Sequence, residues 1–164
     1  MKDQSNHLRI FWLPLILLII HSIDEVVTGF PNWATEYFGT TTLPFFIYTH
    51  IPVLVLVFLS SFFAARNKGG EFWRILATAW AVQFVANGLF HIGTSIISKE
   101  FTPGILTAVL LLLPLSFLFI RRVLSSKLLS KKQFYLSSAI GIVLYTLAAI
   151  SLSFEGSIDW MLKT

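Results

Sequence analysis

Long apolar runs separated by short polar segments dominate the chain, and their lengths predict helices that cross a membrane. A transmembrane helix needs about 20 mainly apolar residues. Five stretches meet that requirement, at about residues 10–29, 43–65, 72–97, 101–120 and 134–154. The pattern therefore predicts an all-α fold, a polytopic integral membrane bundle of five transmembrane helices. We expect residues 1–164 to form a single membrane domain.

Charged residues interrupt the first of these stretches. Its unbroken apolar part, Ile10–Ile20, is too short to span a membrane, so the predicted helix continues through His21, Asp24 and Glu25. A basic residue, Arg9, precedes the run, and no small-residue cleavage site follows it. We therefore expect an uncleaved signal anchor.

A second kind of helix is predicted directly after the first span. Residues 30–38 place apolar side chains at helical spacing, among them Trp33 and Tyr37. Trp and Tyr are enriched where a membrane meets water. The segment is therefore predicted to be a short amphipathic helix lying in the membrane interface.

The composition supports a membrane protein and excludes several kinds of chemistry. Charged residues make up 12% of the chain, against roughly 25% in soluble domains. The absence of cysteine excludes thiol catalysis, cysteine-ligated zinc, iron–sulfur clusters and disulfides. The net charge of +4 does not indicate nucleic-acid binding, because the basic residues cluster at the ends of the spans. Membrane lipid is the expected partner.

The distribution of Lys and Arg predicts the orientation of the bundle. Cytoplasmic loops of membrane proteins carry an excess of both residues. With the N-terminus in the cytoplasm, only Lys99 and Lys163 lie outside, and the other ten of the twelve basic residues lie inside. Those ten are Lys2, Arg9, Arg66, Lys68, Arg74, Arg121, Arg122, Lys127, Lys131 and Lys132. We expect a multi-pass protein of the cell membrane with its C-terminus outside.

Polar groups that are costly in a membrane fall in one layer of the predicted bundle. At 1.5 Å of rise per residue, they lie roughly 6 to 15 Å below the outer ends of their spans. The layer comprises His21, Glu25, His50, Asn87, His91 and Thr107. Gln83 is the main polar group in the inner half, which argues against an ion conductor. Intramembrane ionisable residues usually mark a functional site.

Helical spacing brings potential metal ligands onto shared faces. His21 and Glu25 are four residues apart, as are Asn87 and His91, and residues four apart lie one above the other on a helix. Imidazole and carboxylate ligands suit a divalent metal such as Zn, Fe or Mn. An activated water could then hydrolyse a lipid ester or phosphoester, or the metal could activate oxygen.

Two metal-free interpretations stay open. Asp24 and Glu25 could titrate together with His21 and supply general acid and base to an isomerase or cyclase with an apolar substrate. The cluster could instead be a structural polar network in a lipid-binding or helper protein without turnover. His50 precedes Pro52 by two residues, and we expect it to bond a carbonyl group that the proline frees.

Several short motifs resemble one known family. His21-Ser22-Ile23-Asp24-Glu25 is followed by a Thr-Gly-Phe-Pro run, by an Asn-x-x-x-His pair at residues 87–91 and by a Pro-Gly-x-x-Thr-Ala run at residues 103–108. Together these resemble the HXXEE family of small integral membrane proteins over residues 10–120. The resemblance implies that His21, Asp24 and Glu25 belong to one site, and it supplies no reaction. The first acid of the motif is Asp24 here instead of Glu, so its reach is one methylene shorter.

These observations lead to one functional hypothesis. The chain is expected to be a membrane-embedded, metal-dependent enzyme that acts on a lipid or other apolar substrate. Its metal ligands are predicted to be His21, Glu25 and His91, and its catalytic carboxylates Asp24 and Glu25. The residues expected to surround and orient the ligands are His50, Asn87 and Thr107.

Overall fold

A computed structural model describes the backbone of residues 8–39 and 41–162 and the side chains of this part up to residue 152. Within it, six helices and no strand are present. They are α1 (Arg9–Thr28), α2 (Phe30–Phe38), α3 (Leu43–Ala65), α4 (Glu71–Ser98), α5 (Ile105–Ser125) and α6 (Lys131–Leu162). All except α2 include a stretch long and apolar enough to cross a membrane. The predicted five-span helical membrane bundle is confirmed.

The turns between helices follow local sequence chemistry. α1 ends where Gly29 adopts a left-handed conformation (φ 87°), and Pro31 then stands in the first turn of α2. Gly104 also adopts a left-handed conformation, with φ 85°, directly before α5. The turn at residues 102–104 explains why α5 begins at Ile105 and not near residue 101. Glycine occupies left-handed backbone conformations without steric cost.

α4 is the central helix of the bundle and packs against α1, α3, α5 and α6. Small residues on α4 and α6 allow a close approach of the two backbones. A Cβ added to Gly141 of α6 would lie 2.5 Å from the carbonyl oxygen of Ala79 on α4. Small residues at such contacts are characteristic of helix packing in membranes.

Two apolar clusters of the core enclose the motif at the end of α1. One cluster lies earlier along α1 and contains Leu17, Leu18, Val57, Trp80, Phe84 and Leu112. The other joins α2 to α3 and contains Phe30, Trp33, Ala34 and Phe46. His21 and Glu25 lie on α1 between Leu18 and Phe30, so apolar side chains flank the polar cluster on both sides.

Candidate metal centre

The last two turns of α1 present His21 and Glu25 to the interior of the bundle. Their side chains are four residues apart on one face, and the two residues are only 3% and 5% exposed. Glu25 Oε1 lies 3.4 Å from His21 Nε2. The same oxygen lies 3.3 Å from Nε2 of His91, which α4 contributes and which is fully buried. The structure therefore brings together three residues that the sequence predicts as ligands.

The spacing of the three groups leaves room for a divalent ion between them. One ligand atom from each of His21, Glu25 and His91 lies within 4.8 Å of the other two. A tetrahedral ion with bonds near 2.0–2.1 Å separates neighbouring ligand atoms by about 3.3 Å. The two nitrogen–oxygen distances to Glu25 match that separation. The donor set and its spacing therefore fit a metal ion.

His91 carries the least satisfied polar atoms of the cluster. Neither ring nitrogen has a hydrogen-bond partner among the residues that the structure describes. Nε2 is close to Glu25 Oε1, but the pair does not have hydrogen-bond geometry. A buried polar group without a partner costs about 1–3 kcal/mol. A buried imidazole nitrogen that has no hydrogen-bond partner and lies 3.3 Å from a carboxylate oxygen suits a metal ligand.

Asp24 and Thr107 determine which nitrogen of His21 carries its proton. The Thr107 hydroxyl donates to Asp24 Oδ2 at 2.7 Å, and His21 Nδ1 lies 2.8 Å from the Thr107 oxygen. A hydroxyl has one proton, so Nδ1–H of His21 donates to Thr107. Nε2 of His21 then keeps its lone pair and faces Glu25. Such outer partners orient metal-ligating histidines and fix their tautomer.

Asn87 lies beside the same nitrogen of His21. Its side-chain Nδ2 is 3.0 Å from His21 Nε2 and donates to the lone pair, a hydrogen bond that a metal ion bound at Nε2 would replace. Asn87 stands one turn before His91 on α4, so one face of that helix supplies both residues. The Asn87 amide therefore lies beside one of the three predicted ligands, His21.

His50 of α3 lies at the edge of the cluster. Its Nδ1 donates to the carbonyl oxygen of Phe46 at 2.7 Å, and its ring stacks on the Phe46 ring. Pro52 frees the carbonyl of Tyr48 instead, so the expectation that His50 bonds that carbonyl is wrong. Nε2 of His50 keeps its lone pair and lies 4.0 Å from Glu25 Oε2.

The turn before α5 covers His21, Glu25 and His91. A Cβ on Gly104 would lie 2.9 Å from Glu25 Cγ, 3.0 Å from His91 Cε1 and 3.2 Å from His21 Cε1. The backbone N–H of Gly104 donates to the Thr28 hydroxyl at 3.1 Å. Only a residue without a side chain fits this close to the cluster. The Pro-Gly run in the sequence indicates a turn, but nothing in it predicts that the turn covers His21 and His91.

Glu100 connects α2 to the segment before α5 through hydrogen bonds. Its Oε1 accepts hydrogen bonds from Trp33 Nε1 at 2.8 Å and from the Tyr37 hydroxyl at 3.0 Å. The hydrogen bond to Glu100 raises the pKa of Tyr37, because the carboxylate favours the protonated phenol. The hydroxyl therefore keeps donating above the usual pKa of tyrosine. α2 and the turn are held together over the polar cluster.

A cavity of about 560 Å³ adjoins the cluster. His21, Glu25, His50 and Asn87 contribute to its wall, and apolar side chains of α3, α4 and α6 form most of the rest. Ligand pockets in proteins typically have volumes of about 300–1,000 Å³ and are mainly apolar with a few polar groups. The cavity therefore has the size and lining of a small-molecule site.

Comparisons with known proteins match the motif-bearing part of the chain. The model of a family described as a protein of unknown function with HXXEE motif matches residues 12–119. The chain is also similar to the uncharacterized protein YrkK of Bacillus subtilis (strain 168). The two are 26% identical over 143 residues, which cover 84% of this chain and 89% of the relative. No solved structure matches.

Proposed function

The chain belongs to the HXXEE family of proteins of unknown function, and for this member we propose a membrane-embedded, metal-dependent enzyme that acts on a lipid or other apolar substrate. His21, Glu25 and His91 hold a divalent ion, zinc, iron or manganese. The observation that carries the proposal is the fully buried His91 Nε2, which has no hydrogen-bond partner in the described part of the chain and lies 3.3 Å from Glu25 Oε1.

The donor set suits two related chemistries. Two histidines and a carboxylate hold zinc in hydrolases and non-haem iron in oxygenases. Such an ion polarises a carbonyl or phosphoryl oxygen and activates water, or it activates oxygen. Asp24 fixes the orientation of His21 through Thr107. Glu25 and His50 face the cavity and are positioned to hold or move a proton at a bound substrate.

A purely structural network is a weaker explanation of the cluster. A network that only stabilises packing is closed and has every polar group bonded. Here His91 has two nitrogens without hydrogen-bond partners among the described residues, and the cluster opens into a large cavity. Both observations favour a site that takes up a ligand.

The enzymatic part of the proposal is tested by lipid turnover. Purified protein is incubated with a membrane lipid extract, with and without a chelator, and the products are followed by mass spectrometry. The proposal predicts a product that disappears on chelation and returns when one of the three metals is added back. A fully metal-loaded protein that changes no lipid of the extract would contradict enzymatic action on membrane lipid.

Thr107→Val is expected to weaken metal binding by about 10–100-fold, the usual effect of losing an outer partner of a ligating histidine. Valine keeps the branched shape but cannot link Asp24 to His21. Thr107→Ser keeps the hydroxyl and should bind within a few-fold of the parent. Thr94→Val is the control, because the Thr94 hydroxyl bonds the Phe90 carbonyl of its own helix. Competition against a fluorescent chelator gives the affinities, and equal values for the valine variants would refute the role of Thr107.

The proposal places the protein in the cell membrane with its N-terminus in the cytoplasm. In support, Arg9, Arg66, Arg74 and Arg122 all lie at one end of the bundle, near the start of α1, the end of α3, the start of α4 and the end of α5. Lys99 lies at the other end, beyond α4. Lys2 and Lys163, which the orientation prediction also uses, lie outside the described residues.

The absence of cysteine gives a direct test of this orientation. Lys99→Cys is expected to react in intact cells with a maleimide that cannot cross membranes, because residue 99 is predicted to face outward. Lys68→Cys, at the opposite end of the bundle, should react only after the cells are opened. The reverse labelling pattern would invert the proposed orientation.

A further inference from the structure

The 560 Å³ cavity extends well beyond the polar cluster, along the length of three helices. On α3 its lining runs from Phe45 to Leu56, which corresponds to a length of about 17 Å along the helix axis. His50 is near the middle of this length. From His50 to Leu56 the cavity continues for about 9 Å along α3, away from the start of that helix. The space beyond the cluster is therefore deep enough for a chain that is attached to a group at the cluster.

The deeper part of the cavity is mainly apolar. Its wall contains Leu18, Val53, Leu56, Trp80, Phe84 and Leu144. Burial of apolar surface is favourable by about 25 cal/mol per Å². The polar cluster near the middle of the cavity consists of the Glu25 carboxylate and the nitrogens of His21, His50 and Asn87. Gln83 adds one amide to the deeper wall, between Trp80 and Phe84. The cavity thus presents a polar cluster with a mainly apolar region beyond it, as the site for an amphiphile does.

The strongly exposed part of the cavity lining includes side chains of α3 and α6. Tyr48 of α3 is 72% exposed and Leu147 of α6 is 59% exposed. Both residues belong to transmembrane stretches, so their exposed surfaces face lipid. A molecule dissolved in the bilayer can therefore reach the polar cluster without passing through water.

The volume of the cavity limits what can fill it. At about 560 Å³, it falls in the range of about 300–1,000 Å³ that holds one drug-sized molecule. An amphiphile with a single chain is a molecule of that size, whereas a phospholipid with two chains is larger. The cavity volume therefore favours a single-chain amphiphile.

From these features we infer that the ligand of this site is a single-chain amphiphilic lipid that enters from the bilayer between α3 and α6. Its chain lies along Val53 and Leu144, and its oxygen-bearing head lies at Glu25 and His50. The inference rests on the proposed function for the chemistry at the head. The binding of the chain depends only on the shape and lining of the cavity.

Photolabelling with two probes tests this inference. The first probe is dodecanol with a diazirine at the end of its chain, and the second is a two-chain phosphatidylcholine with the same group at the end of one chain. Labelled positions in the purified protein are identified by mass spectrometry. We expect the dodecanol probe to label the cavity wall near Val53 and Leu144, and an excess of unlabelled dodecanol to prevent it. The phosphatidylcholine probe should label only side chains that face lipid.

Two variants that fill the cavity show whether the labelling is specific. Val53→Trp and Leu144→Trp each occupy the chain region and should reduce cavity labelling by about tenfold, a change of roughly 1.4 kcal/mol in binding. Leu110→Trp is the control, because Leu110 is 61% exposed and does not line the cavity. Circular dichroism identifies the variants that remain folded. Equal labelling of the cavity by both probes, or no decrease in either folded filling variant, would overturn the inference.

Labelling of metal-free protein separates this inference from the proposed function. Specific dodecanol labelling in a protein that binds no metal would support the lipid site and refute the metal centre. Stoichiometric metal binding without specific labelling would support the metal centre and refute the lipid site.

Discussion

Glu25→Gln is expected to remove stoichiometric metal binding while the helical bundle stays folded. Glu25 Oε1 lies close to one nitrogen of each histidine, at 3.4 Å from His21 and 3.3 Å from His91. Glutamine keeps the size of the side chain but lacks the negative charge that a divalent ion requires here. The loss of affinity should exceed the roughly 10–100-fold that removal of an outer partner costs. Metal content is measured by elemental mass spectrometry on protein purified in detergent.

Two control variants distinguish the loss of a metal ligand from a general loss of folding. Glu100→Gln makes the same chemical change at a carboxylate that binds Trp33 and Tyr37 instead of the histidines, and it should keep its metal. His50→Asn removes a histidine whose nearest nitrogen lies 4.0 Å from Glu25, and it should also keep its metal. Equal metal content in Glu25→Gln and in the parent would show that Glu25 is not a ligand.

Gly104→Ala is expected to damage both the metal centre and the fold. The new methyl group would come within 2.9 to 3.2 Å of carbon atoms of all three proposed ligands. The backbone at residue 104 also has φ 85°, which costs a residue with a side chain about 1–2 kcal/mol. We expect a lower thermal midpoint together with at least about a tenfold loss of metal affinity, by analogy with the loss of other supporting groups.

Gly29→Ala provides a matched control for the strain. Its φ of 87° is nearly the same, but a Cβ at residue 29 would meet nothing within 4 Å. This variant should lose a similar amount of stability from backbone strain and keep the metal affinity of the parent. If both alanine variants bind metal equally well, the turn at Gly104 is not part of the site.

The sequence predicts the fold and the members of the cluster for clear physical reasons. Membrane-spanning helices need long apolar runs, so the five spans are visible without any tertiary information. The spacing of four residues places Glu25 below His21 and His91 above Asn87 on their own helices. Counting the rise per residue then places both pairs in the same layer. Their roles as ligands stay a prediction until metal binding is measured.

Other parts of the site depend on how each helix is rotated about its axis and packed against its neighbours. The contacts of Gly104 with His21 and Glu25, and those of Glu100 with α2, join residues more than sixty positions apart. Helical periodicity gives the face of each helix but not its rotation against its neighbours. The tautomer of His21 is set by Thr107 of α5, a threonine that resembles any other threonine in an apolar run. These features can be seen only in the packed tertiary structure.

X-ray absorption spectroscopy of the metal-loaded protein tests the central claim most directly. If His21, His91 and Glu25 hold the ion, the spectrum should show nitrogen and oxygen ligands at about 2.0–2.2 Å. It should also contain the outer-shell scattering of two imidazole rings, and His91→Ala protein loaded at high metal concentration should retain one ring. A folded parent protein whose bound metal shows no imidazole scattering, or one that binds no stoichiometric metal, would contradict the account.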